Sequence, residues 1–340
     1  CMAGGIGLTF ICTLSDIKKM GRHSPHASKG KQHMNFQQLR IIRETVRQNF
    51  NLTEASAALY TSQSGVSKHI KDLEDELGVQ LFIRKGKRLL GLTEPGQALL
   101  GIVERMLVDA DNIKRLADDF NKVDEGTLTI ATTHTQARYV LPPIVNQFKK
   151  AFPKVHLILQ QASPVEVAEM LLQGEADIGI ATESLTAEEN LASVPFYNWQ
   201  HSIITPQNHP LTQKSPIGIE DLAQYPIITY HGGFTGRSKI DKAFEESGLD
   251  FNIVMSALDA DVIKTYVELG MGIGIVNDVA YDPERDYRLK QIATNIFGVN
   301  TTWLAVRKGH LLRGYGYAFI SLCSPDADTR ALKRVAYPED

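Results

Sequence analysis

A chain of 340 residues with 43% hydrophobic and 22% charged content has the composition of a globular protein long enough for about two or three domains. Its three cysteines, Cys1, Cys12 and Cys323, form no C-x-x-C pair, which excludes a disulfide framework and a cysteine-based zinc site. The net charge of −3 hides an asymmetry: residues 1–33 and 34–92 are each net basic and the remainder is strongly acidic, so only the front of the chain suits a polyanion.

In residues 1–33, "MAGGIGLTFICTL" lacks the basic start and small-residue cleavage site of a secretory signal, and it is too short to span a bilayer. "GRHSPHASKGKQH" is polar and rich in breakers, as disordered segments are. Residues 1–33 are therefore expected to be a non-native or disordered leader, with translation starting at Met34. The expected location is cytoplasmic, without a membrane partner.

From Met34, Phe36, Leu39, Ile42, Val46 and Phe50 recur at steps of three and four, the apolar face of a helix. Thr53 is the expected N-cap of a short second helix. After the turn "YTSQSG", a third helix turns Val66, Ile70, Leu73 and Leu77 inward and stops at Gly78. Gln63, Ser64, Ser67, Lys68 and Lys71 fall on its opposite face, short polar and basic side chains suited to bases and phosphates. "LFIRKGKRLLGLT" reads as a hairpin whose Arg84, Lys85 and Lys87 form a basic wing for a phosphate backbone.

The stretch from Ser62 to Arg84 carries [ST]-Q-x-x-[VI]-S-x-x-I-x-x-L-E-x-x-L-G-x-x-L-F-x-R, followed by Leu92, Thr93 and Gly96. This resembles the winged helix-turn-helix of LysR-type transcriptional regulators. The resemblance implies a DNA-binding domain over 34–92, with the helix Ser62–Leu77 in the major groove.

Residues 93–122 predict a long helix with Pro95 in its first turn. Leu99, Val103, Met106, Leu107, Ala110, Ile113 and Leu116–Ala117 form a stripe near coiled-coil spacing. By resemblance this is the linker helix that pairs the DNA-binding heads of a homodimer or homotetramer.

Residues 123–340 alternate strand-like and helix-like runs: "TLTIATT", "ARYVLPPIVNQFKKAF", "VHLILQQA", "VEVAEMLLQG", "ADIGIAT", "YPIITY", "RSKIDKAFEESG", "FNIVMSA", "DADVIKTYVELG", "IGIV", "TTWLAVRKG" and "LLRGYGYAFISLC". The βαβαβ order implies parallel pairing. The pattern resembles the two-lobe α/β effector domain of LysR-type regulators, itself similar to type 2 periplasmic binding proteins. Lobe I is expected over about 126–196 and 297–323 and lobe II over about 197–296, with crossings near Tyr197–His201 and Ile296–Asn300. Thr133, Thr135, Gln136, Thr182 and Thr235 fall at junctions of strands and helices, where free N–H groups and the helix dipole favour an anion.

"IATTHTQARYVLP", "ADIGIATE", "EDLAQYPIITY", "GFTGRS" and "DADVIKTYVELGMGIG" are similar to the CysB/Cbl subgroup, regulators of cysteine biosynthesis and sulfur assimilation. That resemblance implies a small effector between the lobes, of the sulfate, N-acetylserine or O-acetylserine class, held by Thr133, Thr135, Gln136, Thr182 and Thr235, with Trp199 beside it. It implies promoter DNA, a second copy of the chain and RNA polymerase as partners, no cofactor and no catalytic residue. His231, Gly232 and the tail after Cys323 depart from the subgroup's pattern.

Other signals weigh less. "GMGIGIV" follows a helix and leads into a strand, the reverse of a dinucleotide site, and reads as a helix stop with tight packing. The histidines form no H-E-x-x-H pair, no nucleophile elbow is present, and Asp259 and Asp261 suit helix capping. A solute-binding component would need an export signal and no basic head. An anion-handling enzyme would need paired acid–base groups.

Overall fold

The computed structural model describes residues 33–121, 124–182, 184–325 and 329–336. The leader expected over 1–33 lies, except for His33, outside the described residues. The chain divides into two compact units at Val103/Glu104.

In the first unit, α1 (Phe36–Arg47), α2 (Leu52–Ala58) and α3 (Gln63–Leu77) are followed by a two-stranded hairpin, β1 (Phe82–Lys85) and β2 (Arg88–Leu92). Ile41, Ile42, Leu52, Val66, Ile70, Leu73, Leu81 and Phe82 form the core. Three expectations are corrected. The cap of α2 is Asn51, whose Oδ1 accepts from the Thr53 N–H at 3.0 Å. Asn and Asp outrank Thr at that position, and Leu52 is thereby drawn into the helix and the core. Phe36 and Leu77 are exposed, each in a terminal turn beyond the reach of the small core. The inward position near the end of α3 belongs to Glu74 instead.

The helix α4 (Glu94–Phe120) spans the division between the units. Val103 and Leu107 of the expected stripe are buried within the chain, whereas Ile113 and Leu116 are exposed, as is Ile102. Toward its end, Asn112 donates to the Gly309 carbonyl at 2.6 Å and accepts from the Leu311 N–H at 2.9 Å. Arg115 reaches Asp177 at 3.0 Å.

The second unit is built on one eight-stranded sheet. Its strands are β3 (Gly126–Thr132), β4 (Val155–Gln161), β5 (Ile178–Ala181), β6 (Leu191–Pro206), β7 (Ile227–Tyr230), β8 (Ile253–Ala257), β9 (Ile273–Asn277) and β10 (Leu289–Arg307), in the order β4-β3-β5-β10-β6-β9-β7-β8. In lobe I, β3 pairs parallel with β4 and β5; in lobe II, β7 pairs parallel with β8 and β9. The long strands β6 and β10 run antiparallel through both lobes. The pattern predicted only two crossings there, because Pro195 and a run of polar and aromatic residues break any period of two. Between Thr294 and Val299 the register of β10 slips, with Asn295 and Gly298 at positive φ. Such a bulge bends a strand and marks the passage between lobes.

Each lobe has its own cores. Leu128, Ile130, Phe148 and Phe319 belong to lobe I; Ile204, Tyr230, Ile263 and Val276, with a second cluster around Ile227 and Phe244, belong to lobe II. Helices α5 (Leu141–Ala151), α6 (Pro164–Gln173) and α7 (Ser184–Ala187) flank lobe I, together with α11 (Gly314–Cys323) after the return. Lobe II carries α8 (Ile219–Leu222), α9 (Arg237–Ser247) and α10 (Ala260–Glu268). A further helix, α12 (Thr329–Ala336), was not expected; it buries Leu332 in the lobe I core.

The helix predicted from Ala137 is also corrected. Residues Gln136–Val140 form a single π turn, and the α-helix begins at Leu141. Pro142 and Pro143 have no N–H to give to the carbonyls of the preceding turn, so the chain widens there. Around Gly270, the helix-stop reading fits: Gly270 has φ 76°, and a Cβ on Gly272 would lie 2.4 Å from the Pro226 carbonyl oxygen.

Candidate functional site

Two regions gather the residues singled out by the sequence, one in each unit. In the first, Ser62 caps α3 by accepting from the Gly65 N–H at 3.1 Å, and Gly78 ends it at φ 70°. With Val66, Ile70 and Leu73 inward, Gln63, Ser64, Lys68 and Lys71 are exposed and Ser67 is half-buried. Lys85 and Lys87 are exposed on either side of Gly86, whose φ of 64° makes the tight turn of the wing. Gln63 and Lys87 line one concavity of about 370 Å³, so the start of α3 and the wing share a surface. Arg88 lines it too; its position in the basic hairpin was the available signal, and sequence reasoning passed over it. Arg84 is directed elsewhere. Its guanidinium donates to Glu74 at 2.7 Å, while Glu74 Oε1 accepts from the N–H groups of Leu81 and Phe82 at 2.8 and 3.2 Å. Arg84 thus anchors the wing rather than extending from it.

In the second unit, a cavity of about 280 Å³ lies between the lobes. Thr133, His134 and Thr135, after β3, line one side; Phe234 and Thr235, before α9, and Leu258 and Asp259, before α10, line the other. No lysine or arginine lines it, and two carboxylates do, Glu166 and Asp259. Each is occupied with its own helix start: Glu166 accepts from the Ser163 N–H at 2.8 Å and Asp259 from the Val262 N–H at 2.9 Å. The first of these bonds holds the Glu166 carboxyl below its usual range. Asp259 therefore does cap, as its place in "LDADV" suggested.

Thr133, Thr135 and Thr235 are 7%, 2% and 5% exposed. The phenol of Tyr230, whose pKa burial pushes well up, accepts from the Asn277 N–H at 3.1 Å. Thr235 and Gly236 have φ of 40° and 68°. A left-handed Thr stores backbone strain, which tends to persist at functional sites. A Cβ on Gly236 would lie 2.9 Å from both Asn300 Oδ1 and His201 Cε1.

The remaining expected residues, Gln136, Thr182 and Trp199, do not line the cavity. Gln136 is buried; its Oε1 accepts from the Tyr197 hydroxyl at 2.7 Å and its Nε2 donates to Thr302 at 3.4 Å. Burial pushes Tyr197 up to about 12. Thr182 is buried just past the end of β5. Trp199 is buried beside His201, ring centroids 5.0 Å apart, and opposite Asn300 on β10. Arg237, the first residue of α9, does not line the cavity either: it donates to Asp241 and to the Tyr230 carbonyl, both at 2.7 Å.

His201 and Asn300 were missed. The imidazole Nε2 of His201 faces the Thr235 carbonyl at 3.1 Å, and since a carbonyl only accepts, Nε2 holds the proton. Burial lowers the His201 pKa to about 4, against the pull of that carbonyl, so the ring is neutral near pH 7. Nothing in "YNWQHS" alone would have marked this contact.

His134, Asp259 and Asp261 each place a ligand atom within 4.8 Å of the others. A metal there would meet positive charge, since Lys264 and Arg138 stand 3.5 and 3.4 Å from Asp261. Burial alone would raise the Asp261 pKa; hydrogen bonds from Tyr139 and His134, with the charges of Lys264 and Arg138, outweigh it and hold the carboxyl below its usual range.

Residues 36–97 match a family model described as bacterial regulatory helix-turn-helix protein, lysR family, and residues 121–327 match one described as LysR substrate binding domain. HTH-type transcriptional regulator SsuR of Burkholderia cenocepacia is 55% identical over 307 residues, 89% of this chain and all of that one. HTH-type transcriptional regulator CysB of the same organism is 52% identical over 302 residues, 88% of this chain and 96% of that one. The crystal structure of the cofactor-binding domain of the Cbl transcriptional regulator superimposes with a TM-score of 0.61 at 46% identity, covering 63% of this chain and 95% of that domain. No helix among the described residues is long and apolar enough to cross a membrane.

Proposed function

The chain belongs to the LysR family of DNA-binding transcriptional regulators, and from that premise we propose that it controls sulfur-assimilation and cysteine-biosynthesis genes in response to a small oxyanion held between its lobes. The observation that carries the effector reading is the cavity itself: threonines of both lobes line it together at chain positions preceding a helix, with no cation in its wall. Neutral hydroxyls and N–H groups hold an oxyanion without the desolvation that a buried guanidinium would require. Sulfate, N-acetylserine and O-acetylserine are effectors of suitable size and chemistry. Gln136, Thr182 and Trp199 support the wall from behind. Ligand-driven change in lobe closure is passed to a homodimer or homotetramer assembled through α4, whose Ile102, Ile113 and Leu116 are exposed. The DNA-bound protein then recruits RNA polymerase at promoters in the cytoplasm.

Calorimetric titration of the purified protein with sulfate, N-acetylserine and O-acetylserine tests the pocket. Thr135→Ala and Thr235→Val are expected to weaken binding by roughly 0.5–1.5 kcal/mol each, the worth of one neutral hydrogen bond, with promoter retardation in a gel unchanged. Equal affinity in both variants and the parent would remove the assignment.

For the head, Gln63, Ser64, Ser67, Lys68 and Lys71 read bases and neighbouring phosphates, and Lys85 and Lys87 grip the backbone. Replacing Lys85 or Lys87 by alanine is expected to weaken binding evenly across DNA sequences and to lower the log–log salt slope by about 0.9. A variant that altered base preference with the slope intact would argue against a wing on phosphates.

A further inference from the structure

Asp261 is unlike the other acidic residues around the cavity. It sits in the first turn of α10, whose Ala260, Ile263 and Val267 are in the core of lobe II. Its carboxylate partners, however, come mainly from the turn that follows β3 in lobe I. The Tyr139 hydroxyl donates to Asp261 Oδ1 at 2.6 Å; His134 Nε2 and Arg138 Nε face Oδ2 at 3.2 and 3.4 Å. One carboxylate of lobe II thus holds three side chains of lobe I at once.

The same turn is seated by packing. The Tyr139 ring rests against the lobe II core, with the Lys264 ammonium 5.0 Å from its centroid. Lys264 is itself fixed by Asp286 at 3.1 Å and by the Ala280 carbonyl at 2.9 Å. His134 continues the connection into lobe I, its Nδ1 lying 3.0 Å from Gln161 Oε1 at the end of β4. His134 and Gln161 both line the cavity, as do Thr133 and Thr135 in the same turn.

We propose that Asp261 is a positioning residue that clasps the 133–139 turn of lobe I onto lobe II and thereby sets the closed form of the effector crevice. The effector part of this inference rests on the reading given under Proposed function; the clasp itself does not. Two hydrogen bonds and an ion pair converge on one carboxylate, so loss of that acceptor loosens Tyr139, His134 and Arg138 together. A crevice that is closed only part of the time binds its ligand more weakly in proportion to the closed fraction, whatever that ligand is. Asp261 does not line the cavity, so its influence should be alike for chemically different occupants.

The test uses the full chain with Asp261→Ala, Asp261→Asn and Tyr139→Phe. Amide hydrogen exchange of residues 133–139 is followed first without added ligand. Asp261→Ala is expected to speed exchange there by about tenfold, the change that 1.4 kcal/mol of lost closure produces. Asp261→Asn still accepts from Tyr139 but offers no charge to His134 and Arg138, so it should fall between Ala and the parent. Tyr139→Phe removes one hydroxyl and serves if Asp261→Ala does not fold. Titration with sulfate and with N-acetylserine follows, and both affinities should drop by the same factor in each variant. Parental exchange rates in Asp261→Ala or, if that variant does not fold, in Tyr139→Phe would overturn the clasp. So would a drop confined to one probe, which would make Asp261 a ligand contact. If neither probe binds the parent, the effector reading fails, while the exchange result still decides the clasp.

Discussion

Replacing Glu74 by alanine is expected to destabilise the DNA-binding unit by about 2–4 kcal/mol, chiefly the cost of leaving two buried N–H groups without their acceptor, since the Arg84 guanidinium keeps access to water. The side chain is 2% exposed. It joins the end of α3 to the wing through the N–H groups of Leu81 and Phe82 and the guanidinium of Arg84. Alanine leaves all three donors without this acceptor. Glutamine keeps a carbonyl for the N–H groups and loses only the charge beside Arg84, so its cost should be smaller. Urea unfolding followed by exchange at residues 62–92 separates this unit from the effector domain. Promoter affinity should fall with stability, since the wing loses its root. Parental stability in Glu74→Ala would show that the wing is held by Leu81 and Phe82 packing alone.

Asp177 is expected to matter nearly as much to the second unit. It accepts from Arg115 of α4 at 3.0 Å and from the Thr129 N–H at 2.9 Å, with His310 Nε2 3.7 Å away. Alanine there should cost roughly 2–4 kcal/mol through the unpaired Arg115 and Thr129 donors. The residue also sets a pH dependence. Burial pushes its carboxyl up, but His310, Arg115 and the Thr129 N–H outweigh burial and leave the folded pKa below its ordinary value. A depressed folded pKa means stability that is fully present above the unfolded pKa of about 3.9 and is lost as pH falls through the folded value. The melting temperature of the effector domain should therefore decline on acidification below about pH 4. Asp177→Asn should start lower at neutral pH and decline less. Parallel curves for the two proteins would assign the acid sensitivity to other carboxylates.

Much of the head was legible in the sequence because its determinants are local. The caps, the glycine stop, the apolar steps of α3 and the basic hairpin all lie within windows of a few residues. Where the reading failed, the competing force was tertiary. Glu74 and Leu77 lie three residues apart on one helix, and hydropathy puts the leucine inside. The wing reverses that order, because its first two N–H groups need an acceptor and Glu74 is the residue that meets them.

The effector unit divides the same way. Strand and helix order followed from alternating apolar runs, and Thr133, Thr135 and Thr235 were marked by their place ahead of helices. The cavity wall was not. His201 meets the Thr235 carbonyl and Asp261 meets His134 across 34 and 127 residues of chain, and neither contact leaves a local pattern.

The sequence by itself determined the family, the order of elements, the polar face of α3 and the threonines at the crevice, since these follow from short-range periodicity, capping chemistry and a motif carried on contiguous residues. Only the tertiary structure decided which of those threonines share a cavity, that Arg84 serves Glu74, and that Asp261 joins the lobes. Hydrogen bonds and burial act between whatever groups the fold brings within about 3 Å, and for residues far apart in the chain that distance is set by the packing of whole lobes.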